Sequence, residues 1–208
     1  MNTIQTGENM DELETLNMLL RLIGSSPVNS SDTDHPDAAN AKATMNRISR
    51  RTQRKGWWCN IDYNVILKPN SQGEIVVSGE ISSLVPANNQ YVLRGQKLYD
   101  KANQTNKFGS QVEVTRLVRV LDWDDMPPVM QEYCAYYAAS EFVRDELEDP
   151  QKEMSLKESA SASYLDLKKQ ELEEGQYNIF TKPRVMRARS GIMPYSRGNK
   201  RFSGDPDV

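Results

Sequence analysis

A change of hydrophobic period at residue 56 constrains this chain more than any other feature. Ala38, Ala41, Met45, Ile48 and Thr52 recur at intervals of three and four residues, the narrow seam of a helix that packs closely on a neighbour. Beyond Gly56, Trp57, Cys59, Ile61 and Tyr63 alternate with polar residues, the period of a half-buried strand. Helical spacing returns only after residue 124. A chain that switches from helix to strand and back predicts an α+β fold: an antiparallel helical bundle with a small antiparallel β module inserted between its second and third helices.

The remaining elements follow from local signals. Leu13, Leu16, Leu20 and Ile23 predict a first helix over 11–23, with acids in its first turn and Gly24 to stop it. After a polar loop at 25–34, Pro36 can open the second helix, with Asp34 or His35 just outside it. A turn at 69–73 is followed by extended runs at 74–77, 81–85, 91–94, 97–100 and 112–120. In the last run Val112, Val114, Leu117 and Val120 alternate only approximately, which leaves room for a bulge. A third helix is expected over 125–147. Asp125 would be its N-cap, and an aromatic-rich core face would carry Val129, Tyr133, Tyr136, Tyr137, Ser140 and Val143. A fourth, over 151–174, places Met154, Ser161, Leu165 and Leu172 on one side, and so little apolar content suggests shallow packing or a partner. The expected division is a helical domain at 1–56 and 122–175, a β domain at 57–121 and an extended basic arm at 176–208.

Charge is unevenly spread along the 208 residues. The arm carries Lys182, Arg184, Arg187, Arg189, Arg197, Lys200 and Arg201 against two acids, a net +5. With −3 overall, the rest of the chain carries −8. The arm has prolines at 183, 194 and 206 and no apolar period, so it is expected to order only against something else, as a docking segment. No apolar run approaches the roughly 18 residues that span a bilayer, and the N-terminal dozen residues carry acids where a signal peptide needs bases. The expectation is assembly in the host-cell cytoplasm without membrane contact. There Cys59 and Cys134 would be buried thiols and not a disulfide. With His35 the single histidine, a typical zinc site cannot be composed, and no metal or cofactor is expected.

Several stretches resemble the tail tubular protein A family of short-tailed phages. Asp37-Ala38-Ala39-Asn40-Ala41-Lys42, then Met45-Asn46, Arg50, Gln53, Lys55-Gly56-Trp57 and Asn60, is similar to that family's second helix and following strand. Trp123-Asp124-Asp125-Met126-Pro127 leading into a Tyr-rich helix, and Gly175-Gln176-Tyr177-Asn178 after the last helix, fit in the same order. Lys42 stands where the family pattern leads one to expect Arg, and the basic arm after Lys182 has no close counterpart. The resemblance implies a structural virion protein, an adaptor or gatekeeper that forms a dodecameric ring. One face of the ring would meet the portal protein and the other the tail nozzle, tail tubular protein B, with double-stranded DNA passing through without specific binding.

Ring contacts are heterologous, so complementary patches are expected. Arg47, Arg51 and Arg54 against Glu141, Asp145 and Glu148 are the candidates, and the same charges could instead pair within one subunit. The arm is the candidate portal-docking element. Two other readings compete. Asp122, Asp124 and Asp125 could form the carboxylate pair of a polysaccharide-degrading enzyme, although a helix cap and loop acids explain them more simply. The arm, with Tyr195 and Phe202 as stacking groups, could bind nucleic acid, a case weakened by the acidic body. Of Trp57 and Trp58, one is expected in the core and the other half-exposed.

Overall fold

The computed structural model describes residues 10–32 and 34–174. Its elements are helices α1 (Glu12–Leu22) and α2 (Pro36–Gln53), strands β1 (Ile61–Leu67), β2 (Ile81–Pro86), β3 (Tyr91–Arg94), β4 (Lys97–Asp100) and β5 (Val112–Arg119), a 3-10 turn at Trp123–Asp125, and helices α3 (Pro128–Glu146) and α4 (Pro150–Glu174). The protein is α+β, and all five strands lie between α2 and α3 in chain order. The arm and its seven candidate bases, with Tyr195 and Phe202, lie outside the described residues. Among the described residues no helix is long and apolar enough to cross a membrane.

Local chemistry sets the helix ends. The Asp11 carboxylate accepts the Glu14 N–H at 2.6 Å and caps α1, satisfying one of the first-turn donors that helical bonds leave over. Pro36 sits in the first turn of α2, where its missing N–H costs nothing. The seam of α2 is buried as its spacing predicts: Ala38, Ala41, Met45 and Ile48 join Leu16, Leu19 and Leu20 of α1 and Met130, Cys134, Ala138 and Phe142 of α3 in one core. Burying each large side chain there contributes on the order of 1.5–3 kcal/mol.

One helix face differs in part from expectation. On α3 Ser140 and Val143 are fully buried as expected, but the core face runs through Met130, Cys134, Ala135, Ala138, Ala139 and Phe142, while Val129, Tyr133, Tyr136 and Tyr137 are only half-buried at its flank. The small residues Ala135, Ala138 and Ala139 let the helices approach closely along that line. On α4 the inward residues are Ala160, Ser163 and Leu167. Met154, Leu165 and Leu172 face outward at 63%, 68% and 60% exposure, with Ser161 exposed among them. The expected apolar line exists on α4 and is covered by none of the described residues. Asp125 is not the cap of α3 either. It ends the 3-10 turn, and Pro127 precedes the helix without a side-chain cap.

The strands form a sheet in the order β1-β5-β2 and a β3-β4 hairpin. β1 and β5 pair antiparallel from Ile61↔Val118 to Leu67↔Val112. Against β2 the register shifts between Val85↔Arg116 and Pro86↔Val114, leaving Thr115 as an extra residue on β5. That bulge returns Leu117 to the face of Val114, where both pack with Val77. A neighbouring cluster unites Ile75, Leu98 and Val112. Residues 74–77 form only isolated bridges, Glu74↔Lys107 and Val76↔Lys97. The alternation expected from Trp57 also starts late: Trp57 to Asn60 form a turn, and the strand begins at Ile61.

A buried amide pair explains that turn. Asn60 accepts the Trp57 N–H at 2.7 Å and donates to the Gln53 and Arg119 carbonyls at 3.1 and 2.7 Å. Gln53, fully buried, donates to the Leu121 carbonyl at 3.0 Å and accepts the Leu121 N–H at 2.7 Å. Both chain passages between helices and strands are therefore stapled by two side chains.

Candidate functional site

The charged residues marked by the sequence separate into three groups. Arg47 reaches Glu141 at 3.3 Å and Asp145 at 3.6 Å, and Arg144 binds the same two acids at 3.1 and 3.0 Å. The carboxylates hold the Arg144 guanidinium above its usual value, Glu141 contributing most. Three residues marked for a subunit interface, Arg47, Glu141 and Asp145, thus meet inside one chain, because α2 and α3 pack side by side.

Arg51, in the last turn of α2, and Arg54, its C-cap, are exposed and form no ion pair among the described residues. The Arg51 guanidinium lies 5.6 Å from the centroid of the Tyr137 ring. Glu148 is exposed in the α3–α4 turn with φ 51, a left-handed conformation that L side chains adopt at some cost.

Beside Arg51 the flanking tyrosines line a groove. Tyr133 and Tyr137 stack with centroids 5.8 Å apart, four residues along one helix, and Tyr164 of α4 approaches Tyr133 at 5.2 Å. With Lys157, Ala160, Ser161 and Leu165 they bound an open cleft of about 470 Å³. Burial pushes the Tyr133 hydroxyl up to about 12. The Lys55 ammonium donates to the Tyr164 hydroxyl at 3.1 Å, and Lys55 and Lys168 sit 4.8 and 4.7 Å from the Trp57 indole. The sequence pointed to a tyrosine face but not to a groove, since Tyr164 had no periodic signal of its own. Trp57 is in the core and Trp58 half-buried, the division expected for the pair.

Asp122 and Asp124 line a separate polar cleft of about 250 Å³ with Glu12, Arg50 and Glu80. Arg50 pairs with Glu80 at 3.0 Å across it. Asp125 is exposed at the adjoining turn and does not line this cleft. Both cysteines are free thiols, Cys59 pushed up to about 11 and Cys134 to about 12, in each case mainly by burial. Such thiols are poor nucleophiles.

A family model described as tail tubular protein matches residues 13–185, most of the chain. The chain belongs to the tail tubular protein family. It is 28% identical over 140 residues to Tail tubular protein A of Klebsiella phage KP34, an alignment covering 66% of this chain and 74% of that protein. It is accordingly a structural protein of the phage tail and a component of the virion. The residues that carried the tail tubular resemblance have architectural positions here. Gln53 and Asn60 form the amide staples, and Trp57 donates its indole N–H to the Thr52 carbonyl at 2.8 Å. Trp123 ties the Met10 carbonyl at 2.8 Å, and Met126 is buried against Ser49 and Gln53. Gly175-Gln176-Tyr177-Asn178 lies outside the described residues.

Proposed function

We propose that this tail tubular protein is a ring-forming head-to-tail adaptor, a gatekeeper of twelve copies between the portal protein and the tail nozzle, tail tubular protein B. Its work is mechanical and not catalytic. Family membership over residues 13–185 is the observation that carries this reading. The helices at 1–56 and 122–175 would form the ring wall, and the strands at 57–121 a second domain. The separate apolar clusters of helices and strands support that division. Subunit contacts draw on charges left over inside the chain, namely Arg51, Arg54 and Glu148, with Arg47, Glu141 and Asp145 already engaged in one subunit. The basic arm from Lys182 to Arg201 docks the portal, where Arg184, Arg187 and Arg189 gain charge-assisted hydrogen bonds as the segment orders. An acidic body keeps duplex DNA from adhering during passage.

Mass measurement of the purified protein, alone and with the portal, tests the ring directly. Twelvefold assembly or a stoichiometric portal complex is the expected result, and a chain that stays monomeric beside the portal refutes it. Truncation after Tyr177 should leave a folded subunit that no longer joins the portal. Arg51→Glu should weaken assembly without unfolding the subunit.

A further inference from the structure

The outer side of α4 is covered by none of the described residues. Met154, Ser161, Leu165 and Leu172 fall within about 20° of one line on a helical wheel, a ridge roughly 27 Å long at 1.5 Å per residue. The inward line, Ala160, Ser163 and Leu167, already attaches the helix to α3. A second apolar line on the far side adds nothing to the fold of a solitary chain. The ridge also borders the tyrosine groove, because Leu165 belongs to both.

Charge around the groove is unbalanced. Lys157 is answered by Glu153 at 2.5 Å and Lys168 by Glu171, but Arg51 and Lys55 form no ion pair with the described residues. Two ammoniums, Lys55 and Lys168, meanwhile converge on one indole. The groove is apolar in its floor and positive at its rim. The α3–α4 turn has the opposite character. Leu147 stands 40% exposed between the acids Glu146 and Glu148, neither of which has an ion-pair partner among the described residues. The backbone at Glu148 is left-handed, with φ 51.

We propose that the groove and ridge of α4 seat a second copy of this chain, whose α3–α4 turn inserts Leu147 between Tyr137 and Tyr164. Glu146 and Glu148 of the incoming copy then meet Arg51 and Lys55. A cleft of about 470 Å³ accommodates a leucine side chain with its flanking backbone. The two surfaces differ, so the contact is heterologous and propagates from copy to copy until a rotation closes it. This rests on the ring reading above and names the surfaces that would build it.

Paired cysteines separate the two claims. Leu147→Cys and Ser161→Cys are exposed substitutions, and the native thiols are shielded by burial. In the full-length protein, mild oxidation of the double variant should give a ladder of covalent oligomers. Either single variant should give none beyond background. Leu165→Glu, at a side chain already exposed, should keep the subunit's circular dichroism while lowering self-association at least tenfold. Oligomers of wild-type mass that yield no ladder and tolerate Leu165→Glu would overturn this contact while leaving the ring intact. A chain that is monomeric at every concentration and beside the portal would end both.

Discussion

Replacing Gln53 by leucine probes the passage between helices and strands with little change of volume. The Gln53 amide donates to one backbone carbonyl and accepts from the N–H of the same residue, Leu121, at 3.0 and 2.7 Å. Leucine offers neither bond, and two backbone groups lose their partners together. Each orphaned group costs about 1–3 kcal/mol, and these are part-buried, so the sum should lie near 2–4 kcal/mol. For a chain of this size that corresponds to a fall of roughly 4–16 °C in Tm. Urea unfolding with an unchanged slope, followed by far-ultraviolet circular dichroism, measures it. A loss below about 1 kcal/mol would show that water or another donor replaces the amide, and that the staple does not fix the junction.

Three further outcomes are expected. Gly56→Ala places a methyl group 2.1 Å from the Arg116 guanidinium at a φ of +78, so stability should fall by about 1–2 kcal/mol from the backbone alone, and the bond from Arg116 to the Lys55 carbonyl should be lost; thermal melts and a crystal structure of the variant check both. Glu141→Ala leaves Arg47 and Arg144 with Asp145 as their one shared acid, and both are about half exposed, so the cost should stay at about 1 kcal/mol and shrink in high salt, measured by denaturation at two ionic strengths. Burial raises Cys134 from 9.0 to about 12, so the folded protein holds that proton where the unfolded chain releases it. Its contribution is complete below pH 9 and is lost as pH rises toward 12, with a slope of up to about 1.4 kcal/mol per pH unit; Cys134→Ala should flatten stability against pH in that window.

Periodicity carried most of the helical reading because burial on α1 and α2 is one-sided. The seam of Ala38, Ala41, Met45 and Ile48 is buried residue for residue, and β3 and β4 begin and end where their composition suggests. Periodicity failed where two faces of one helix are both apolar. On α3 a line of tyrosines competed with a line of alanines, and only the close approach of α2 decides between them. On α4 the sequence marks the larger residues as one side and leaves shallow packing or a partner open; packing on α3 selects Ala160 and Ser163, since small side chains permit close contact. The turn at Trp57 was hidden for a different reason. Its alternation is genuine, but Asn60 takes three backbone groups into its own side-chain bonds and bends the chain before any strand partner is available.

The candidate charges divide by the same geometry. Arg47 lies where α2 runs beside α3 and finds Glu141 and Asp145, whereas Arg51 lies one turn further along, over the Tyr137 ring, and Arg54 follows it at the end of the helix. One turn of helix thus separates a charge used inside the subunit from charges available to another molecule. Sequence alone cannot draw that boundary, because every arginine of α2 has the same local signature. The consequence for assembly is specific: removing Arg47 should alter subunit stability more than self-association, and removing Arg51 the reverse. Native mass spectrometry and urea unfolding of the two variants read those quantities separately. Equal effects of both substitutions on both measurements would mean that the in-chain cluster and the groove rim act as one continuous surface.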